Sequence, residues 1–293
     1  MIHIIITSYK EPKSTIKAIS AFLSQNINQD FKIIVADPFP ETEAIIKKEF
    51  KNKPVEFFLY PGEGKSYALN VILENIYSEN KDNIIISTDG DVYVGKNSVK
   101  EIINAFKDKK IGCVTGKPVC LDSRESMLGY WSHVAFDGID KVRKRLSNQG
   151  NFFECSGYLF AFRNGVLQGF PLETSEDSII PHLFWKKNYK IFYAGKAEVY
   201  VLNNYNWKTW LKQKIRNIKA HENLSKIAPD MKRTKSFMNE LKEGFLFSLY
   251  YPKNIKEVFY TFLMFSARLY LYLKAFYELK LKKRSYKDGW RGE

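Results

Sequence analysis

Two carboxylates stand one residue apart in Asp89-Gly90-Asp91, directly behind the apolar run Ile84-Ile85-Ile86-Ser87-Thr88. Acids that emerge where a buried strand meets solvent, with a glycine allowing close approach, can hold Mg2+ or Mn2+ through oxygen while a diphosphate fills other positions. The same residues also make a plain surface turn. Asp37 ends another apolar run and precedes Pro38; it either accepts hydrogen bonds from a base or ribose edge or simply terminates a strand. Gly62-x-Gly64-Lys65-Ser66 brings glycine, lysine and a helix start together, which favours an anion. It lacks the spacing of an ATPase phosphate loop. Ser175-Glu176-Asp177 opens an apolar helical stretch, where its acids complement a helix dipole or supply a general base. Gln213-x-x-Arg216 sets two long polar side chains on one helix face, behind Trp207 and Trp210. An arginine fork there suits a diphosphate, and a basic solvated helix has the same pattern.

The elements that must position these residues follow from hydrophobic periodicity. Runs rich in Ile, Val and Phe predict strands over 2–7, 32–36, 55–60, 83–88 and 112–115, and helical stretches at 13–26, 41–50, 65–78 and 96–107 separate them. Near-continuous apolar strands imply burial on both faces, hence a parallel, doubly wound α/β layer. Ligands bind such layers beyond the carboxyl ends of the strands, and the polar residues Thr7 to Glu11, Asp37, Lys65 and Asp89 to Asp91 all lie there. After residue 120 the rhythm changes to a helix over 123–146, a segment at 155–160, a helix after Asp177 and a strand over 197–202. Three basic, aromatic helices at 207–227, 232–251 and 256–284 complete the chain.

Composition narrows the class. With 293 residues, 45% hydrophobic and 27% charged, the chain is neither intrinsically disordered nor a collagen-like repeat. Three cysteines without a C-x-x-C pair argue against a disulfide framework and for a reducing, cytoplasmic setting. The N-terminal residues lack the basic and small-residue features of a secretory signal. Lysines and arginines exceed acids by 46 to 32, and residues 205–293 hold 20 of those bases against 8 acids. That part carries +12 of the net +14. Because this charge lies on apolar helices rather than on an exposed basic stripe, and no nucleic-acid-binding signature occurs, no nucleic-acid partner is expected.

Taken in order, Thr7-Ser8-Tyr9 with Glu11, Asp37, Gly64-Lys65-x-x-Ala68-Leu69-Asn70, Asp89-x-Asp91, Gly112-x-Val114-x-Gly116, Ser175-Glu176-Asp177 and Gln213-x-x-Arg216 resemble family 2 glycosyltransferases over roughly residues 1–220. The resemblance implies a glycosyltransferase-A-like fold: a mixed, mainly parallel sheet flanked by helices, here with a C-terminal helical appendage. A catalytic domain over 1–204 would bind the nucleotide sugar, and 205–293 would be partly catalytic through Gln213 and Arg216. The resemblance further implies inverting transfer from a nucleoside-diphosphate sugar, a UDP-sugar being favoured. Thr7, Tyr9, Glu11 and Asp37 would bind base and ribose, Lys65 and Asp89 would seat the nucleotide, and Gln213 and Arg216 would meet the diphosphate. Asp91 would hold Mn2+ or Mg2+, and Asp177 would deprotonate the acceptor. Asn217 stands where polymerising members carry tryptophan after Gln-x-x-Arg, which favours addition of a single sugar. His221 is a further candidate metal ligand or a plain surface histidine.

Between Lys256 and Lys274 the charges are Glu257 and Arg268, and the apolar run is shorter than the roughly 20 residues a membrane span needs. The alternatives are an interfacial helix pair on an anionic membrane surface and a helical hairpin packed on the catalytic domain or a second copy. The first would place the chain peripherally on the cytoplasmic membrane face, with a lipid-linked or cell-surface glycan as acceptor. A processive polysaccharide synthase and a non-transferring nucleotide-sugar binder or nucleotidyltransferase are the competing functions.

Overall fold

A computed structural model of the chain describes residues 1–203, 206–232 and 240–282. An eight-stranded sheet in the order β3-β2-β1-β4-β7-β6-β8-β5 forms its centre. β1 (Ile2–Thr7), β2 (Phe31–Asp37), β3 (Val55–Leu59) and β4 (Ile84–Asp89) run parallel, and each crossover is a helix: α1 (Pro12–Leu23), α2 (Pro40–Glu49) and α3 (Lys65–Asn75). Parallel pairing puts the carboxyl ends of these strands on one edge, with Thr7 beside Asp89 in register.

The remaining strands make the sheet mixed. β5 (Val92–Val94) pairs antiparallel with β8 (Lys190–Val201), and β7 (Phe160–Arg163) runs antiparallel between β4 and β6 (Ile111–Cys120). β6 and β8 are parallel, with a register shift at Gly116/Lys117. Both glycines of the Gly-x-Val-x-Gly segment in β6 are set by packing. A Cβ on Gly112 would come within 2.5 Å of Phe184 and Tyr189, and one on Gly116 within 2.5 Å of the Ala197 carbonyl.

The sheet is covered on both faces, as its apolar strands require. One layer packs Ile4, Ile6, Val35 and Ile86 against α1, α2 and α4 (Ser98–Ala105). The other packs Ile5, Ile34, Phe160 and Phe162 against α3 and α6 (Glu176–Lys186). A third cluster joins Tyr130, Trp131 and Val134 of α5 (Met127–Asn148) to Trp210 and Ile215 of α7 (Trp207–Ile227) and to Ala267 and Leu271 of the last long helix.

The C-terminal helices differ from expectation in detail. The first half of the helix expected at 232–251 lies outside the described residues. Its second half is a π-helical turn, Glu240–Gly244, followed by α8 (Phe245–Tyr250); Tyr251 keeps a helical backbone, and the helix ends there because Pro252 has no amide to continue the hydrogen-bond ladder. The last helix, α9, spans Ile255–Phe276 and continues as a π turn at Tyr277–Leu281. Lys283 and Arg284 lie outside the described residues.

Candidate functional site

The floor of the site is built where β1 and β4 end. The Gly90 amide donates to the Thr7 carbonyl at 2.8 Å, and the Thr7 hydroxyl lies 3.3 Å from both the Thr88 carbonyl and Asp89 Oδ1. A Cβ on Gly90 would fall 3.0 Å from Thr15 Oγ1 and 3.1 Å from Ser8 Cβ. A side chain between the two acids would therefore crowd Ser8 and the start of α1, and glycine fits there without displacing them.

Lys65 is the first residue of α3, reached through Gly62 and Gly64 at φ +86° and +99°, a backbone region that favours glycine. Its Nζ lies 2.7 Å from Asp89 Oδ1 and 2.5 Å from Glu176 Oε1. Burial disfavours the ammonium, but the two carboxylates outweigh it and hold Lys65 well above the ordinary lysine range. For Glu176, burial pushes the carboxyl up, Lys65 pulls it down, and Asp177 adds repulsion; the net direction is up.

Asp177 sits in the first turn of α6. Its Oδ1 accepts from the Ser175 hydroxyl at 2.5 Å and its Oδ2 from the Gly157 amide at 3.1 Å, while its carbonyl accepts from the Cys155 amide at 2.9 Å. The segment 154–158 that supplies the two amide donors is itself anchored. Arg143 of α5 donates to the carbonyls of Glu154 (3.2 Å) and Cys155 (2.6 Å), and Thr88 donates to the Tyr158 carbonyl at 2.6 Å. Burial lowers the pKa of Arg143. The Glu154 carboxylate, almost wholly buried, accepts from Ser178 Oγ at 2.5 Å and lies 3.7 Å from His221 Nδ1.

These groups face one cavity of about 530 Å³. The strand ends and the loops after them supply Thr7, Tyr9, Glu11, Asp89 and Asp91; the start of α3 supplies Lys65; α6 supplies Glu176 and Asp177; α7 contributes Gln213, Arg216, Asn217, Ala220 and His221. Their spacing of three and four residues is one helical face. The cavity is therefore acidic along the strand ends and basic along α7, where Lys214 and Arg216 join the lining.

Of the eleven residues given a candidate role in the sequence, ten come together in this lining, His221 included. Asp37 does not. It is fully buried, and its carboxylate accepts from the Lys10 amide at 3.0 Å and the Phe39 amide at 2.9 Å. Burial pushes this carboxyl up against those hydrogen bonds. Lys10 has φ +56°, an uncommon conformation for a side-chain-bearing residue, and the bond to Asp37 helps hold it. The turn brings Tyr9 edge-on to Phe39, with ring centroids 5.0 Å apart. Sequence reasoning missed Phe136, Ile139 and Arg143 of α5, which also line the cavity. Their i, i+3, i+7 spacing was the available signal, and it is equally the spacing of any half-buried helix.

Among the described residues, no group of three or more His, Cys, Asp or Glu side chains is placed to hold a metal ion. The end of β4 offers carboxylate oxygens, and one of them is engaged by Lys65. Such a donor set fits a hard divalent cation whose remaining positions are filled by phosphate oxygens and water.

Residues 3–170 match the family model described as Glycosyl transferase family 2. Hyaluronan synthase of Streptococcus pyogenes is 23% identical over 175 residues, covering 56% of this chain and 40% of that protein. The chain thus matches less than half the length of that curated relative. Among solved structures, the mannosyltransferase PcManGT from Pyrobaculum calidifontis, in complex with GDP-Man and Mn2+, superposes with a TM-score of 0.61 at 17% identity, covering 95% of this chain and 80% of that one. S. aureus TarS 1-349 in complex with UDP-GlcNAc gives 0.50 at 16% identity, over 87% and 77%. These two share the fold described above.

Proposed function

The chain belongs to glycosyl transferase family 2, and from that premise we propose that it moves a single sugar, with inversion, from a nucleoside-diphosphate sugar to a hydroxyl or phosphate oxygen of a lipid-linked or cell-surface glycan. The observation that carries this reading is the convergence of the β1 and β4 ends, Lys65, Asp177 and the Gln213/Arg216 face of α7 on one cavity. A UDP-sugar is the favoured donor. The nucleotide-sugar complexes of the two structural neighbours support a donor of this class.

In this reading Thr7, Tyr9 and Glu11 receive base and ribose, and Asp37 serves them by fixing the Lys10 turn behind the cavity wall. Lys65 offsets the charge of Asp89 and Glu176, so that an anionic diphosphate can approach the acidic floor. Arg216 and Gln213 meet the diphosphate from the other side, with Arg216 supplying charge-assisted hydrogen bonds. A divalent cation, Mn2+ or Mg2+, held by Asp91 would neutralise diphosphate charge when bound. Asp177, oriented by Ser175 and the Gly157 amide, takes the proton of the acceptor. The acceptor oxygen then bonds to the anomeric carbon as the bond from that carbon to the phosphate oxygen breaks, releasing the nucleoside diphosphate. A single displacement inverts the anomeric centre. Residues 1–204 form the donor-binding unit in this account, and the helical region adds one wall of the site and the approach to a membrane-borne acceptor on the cytoplasmic face.

Proton NMR of the product tests the displacement. Inverted anomeric configuration is expected, and Asp177→Asn should lower kcat by roughly 10²–10⁴-fold while donor affinity stays. Retained configuration, or full activity of Asp177→Asn, would refute the assignment.

A further inference from the structure

We propose that the outward face of α9, continued by α8, is the surface through which this protein docks on an anionic lipid bilayer. The proposal rests on the reading of a membrane-borne acceptor given above and names the part of the chain that meets the membrane.

The helix has two apolar faces, although packing uses one. Thr261, Ala267, Leu271 and Ala275 are buried against the rest of the fold. On the opposite side Phe259, Phe262, Leu269, Leu273 and Phe276 recur at helical spacing, and Phe262 and Leu273 keep 63% and 62% of their surface exposed. The π turn adds Leu281, and α8 adds Leu246 and Tyr250, all strongly exposed. α8 and α9 are joined by Phe245 and Phe265, whose rings lie 5.3 Å apart. An exposed apolar surface of this extent marks an interaction site rather than ordinary scatter.

Charge selects the occupant. Residues 255–282 hold five bases and two acids, and both acids are partnered by bases of the body: Glu257 with Arg124 at 2.6 Å, Glu278 with Lys219 at 2.8 Å. Among the bases, Lys256, Lys280 and Lys282 stay exposed. Lys256 and Lys280 meet Glu125 and Glu222 at 2.9 and 4.0 Å, with both lysines at least half exposed. Apolar side chains flanked by exposed lysines, with the helix's own acids drawn inward, complement the headgroup layer of an anionic bilayer. No helix among the described residues is long and apolar enough to cross a membrane, which leaves contact along the surface.

The docking face also communicates with the cavity. Phe247 of α8 lies against Gly138 and beneath Lys141 of α5, and the same helix presents Phe136 and Ile139 to the cavity. A lipid-borne acceptor held at α8 and α9 is therefore one helix away from Asp177.

Flotation of the full chain with phosphatidylcholine vesicles, with and without phosphatidylglycerol, tests the proposal. The wild type should float with the anionic vesicles and be released by salt. The double variant Phe262→Ser/Leu269→Ser should lose partitioning roughly tenfold or more, and Lys280→Gln/Lys282→Gln should lose the preference for anionic lipid. All four side chains are exposed, and unchanged near-ultraviolet circular dichroism would show that both variants fold. A wild type that stays with the pellet, or variants that float like it, would overturn the proposal. So would a dimer that Phe262→Ser/Leu269→Ser dissociates in the absence of vesicle binding, which would assign the face to a second copy. A chain that floats yet binds no nucleotide sugar would overturn the transferase reading and leave the docking face standing.

Discussion

Lys65 holds together two carboxylates that come from different parts of the chain, Asp89 at the end of β4 and Glu176 at the start of α6. Its removal leaves both acids without their shared cation, and Lys65→Met should destabilise the fold by about 3 kcal/mol at pH 8, read from chemical unfolding. The cost should shrink toward pH 5. A carboxyl whose pKa is raised by folding contributes stability below its unfolded value and loses it as pH climbs through the folded value. Glu176 is already raised, and without Lys65 it rises further, so the penalty grows with its ionisation; a pH-independent loss would contradict this. At this scale the sequence was informative about residue types and weaker about what they touch. The pattern Asp89-Gly90-Asp91 was readable as a ligand site, yet its glycine answers to Ser8 and Thr15. Asp37 was readable as a strand-end acid, yet its carboxylate is spent on the backbone of the Lys10 turn. Glu154 gave no local signal and Arg143 gave only a helical spacing that any half-buried helix shares, because their importance arises only when α5 packs on the segment that carries Gly157.

At the scale of elements, β1 to β4 were legible to within a residue or two, since a strand buried on both faces must be apolar at nearly every position, whereas β6 was expected to end at residue 115 and runs on to Cys120 through the less apolar Gly116, Lys117 and Pro118. β5 escaped notice because three residues directly after a turn carry no period. Only the end of β8 was expected: its first half alternates exposed and buried residues, with Phe192 outward, and so lacks the continuous apolar run of the parallel strands. The same geometry explains Gly116 in β6. Gly116→Ala would push a Cβ to 2.5 Å from a backbone carbonyl and 2.8 Å from Leu159, at a cost of about 2–3 kcal/mol. A melting temperature lowered by roughly 5 °C is expected; no change would show that β6 and β8 can part locally.

At the scale of the whole molecule, the helical region is bound to the catalytic layer by a shared core around Trp131 and Trp210 and by a two-point clamp. Arg124 bonds both oxygens of Glu257, at 2.6 and 2.9 Å, and its guanidinium lies 4.4 Å from the Tyr251 ring. Arg124→Ala strands the buried Glu257 carboxylate and should cost roughly 2–3 kcal/mol after discounting for the partial exposure of Arg124. Hydrogen exchange should rise across 255–276 while β1 and β4 stay protected; uniform protection would show that the apolar contacts alone hold α9. The charge imbalance between the two parts of the chain was plain in the sequence, but which face of α9 stays exposed was not, because both faces are apolar and packing decides between them. The central claim, that this cavity receives a nucleoside-diphosphate sugar through Asp91 and a divalent cation, is tested most directly by calorimetric titration of UDP-, GDP- and dTDP-sugars into the wild type and Asp91→Ala, with and without Mn2+ or Mg2+. One donor is expected to bind the wild type in a metal-dependent way, with Asp91→Ala abolishing the metal dependence; binding of no nucleotide sugar, or metal-dependent binding that Asp91→Ala leaves intact, would contradict this assignment.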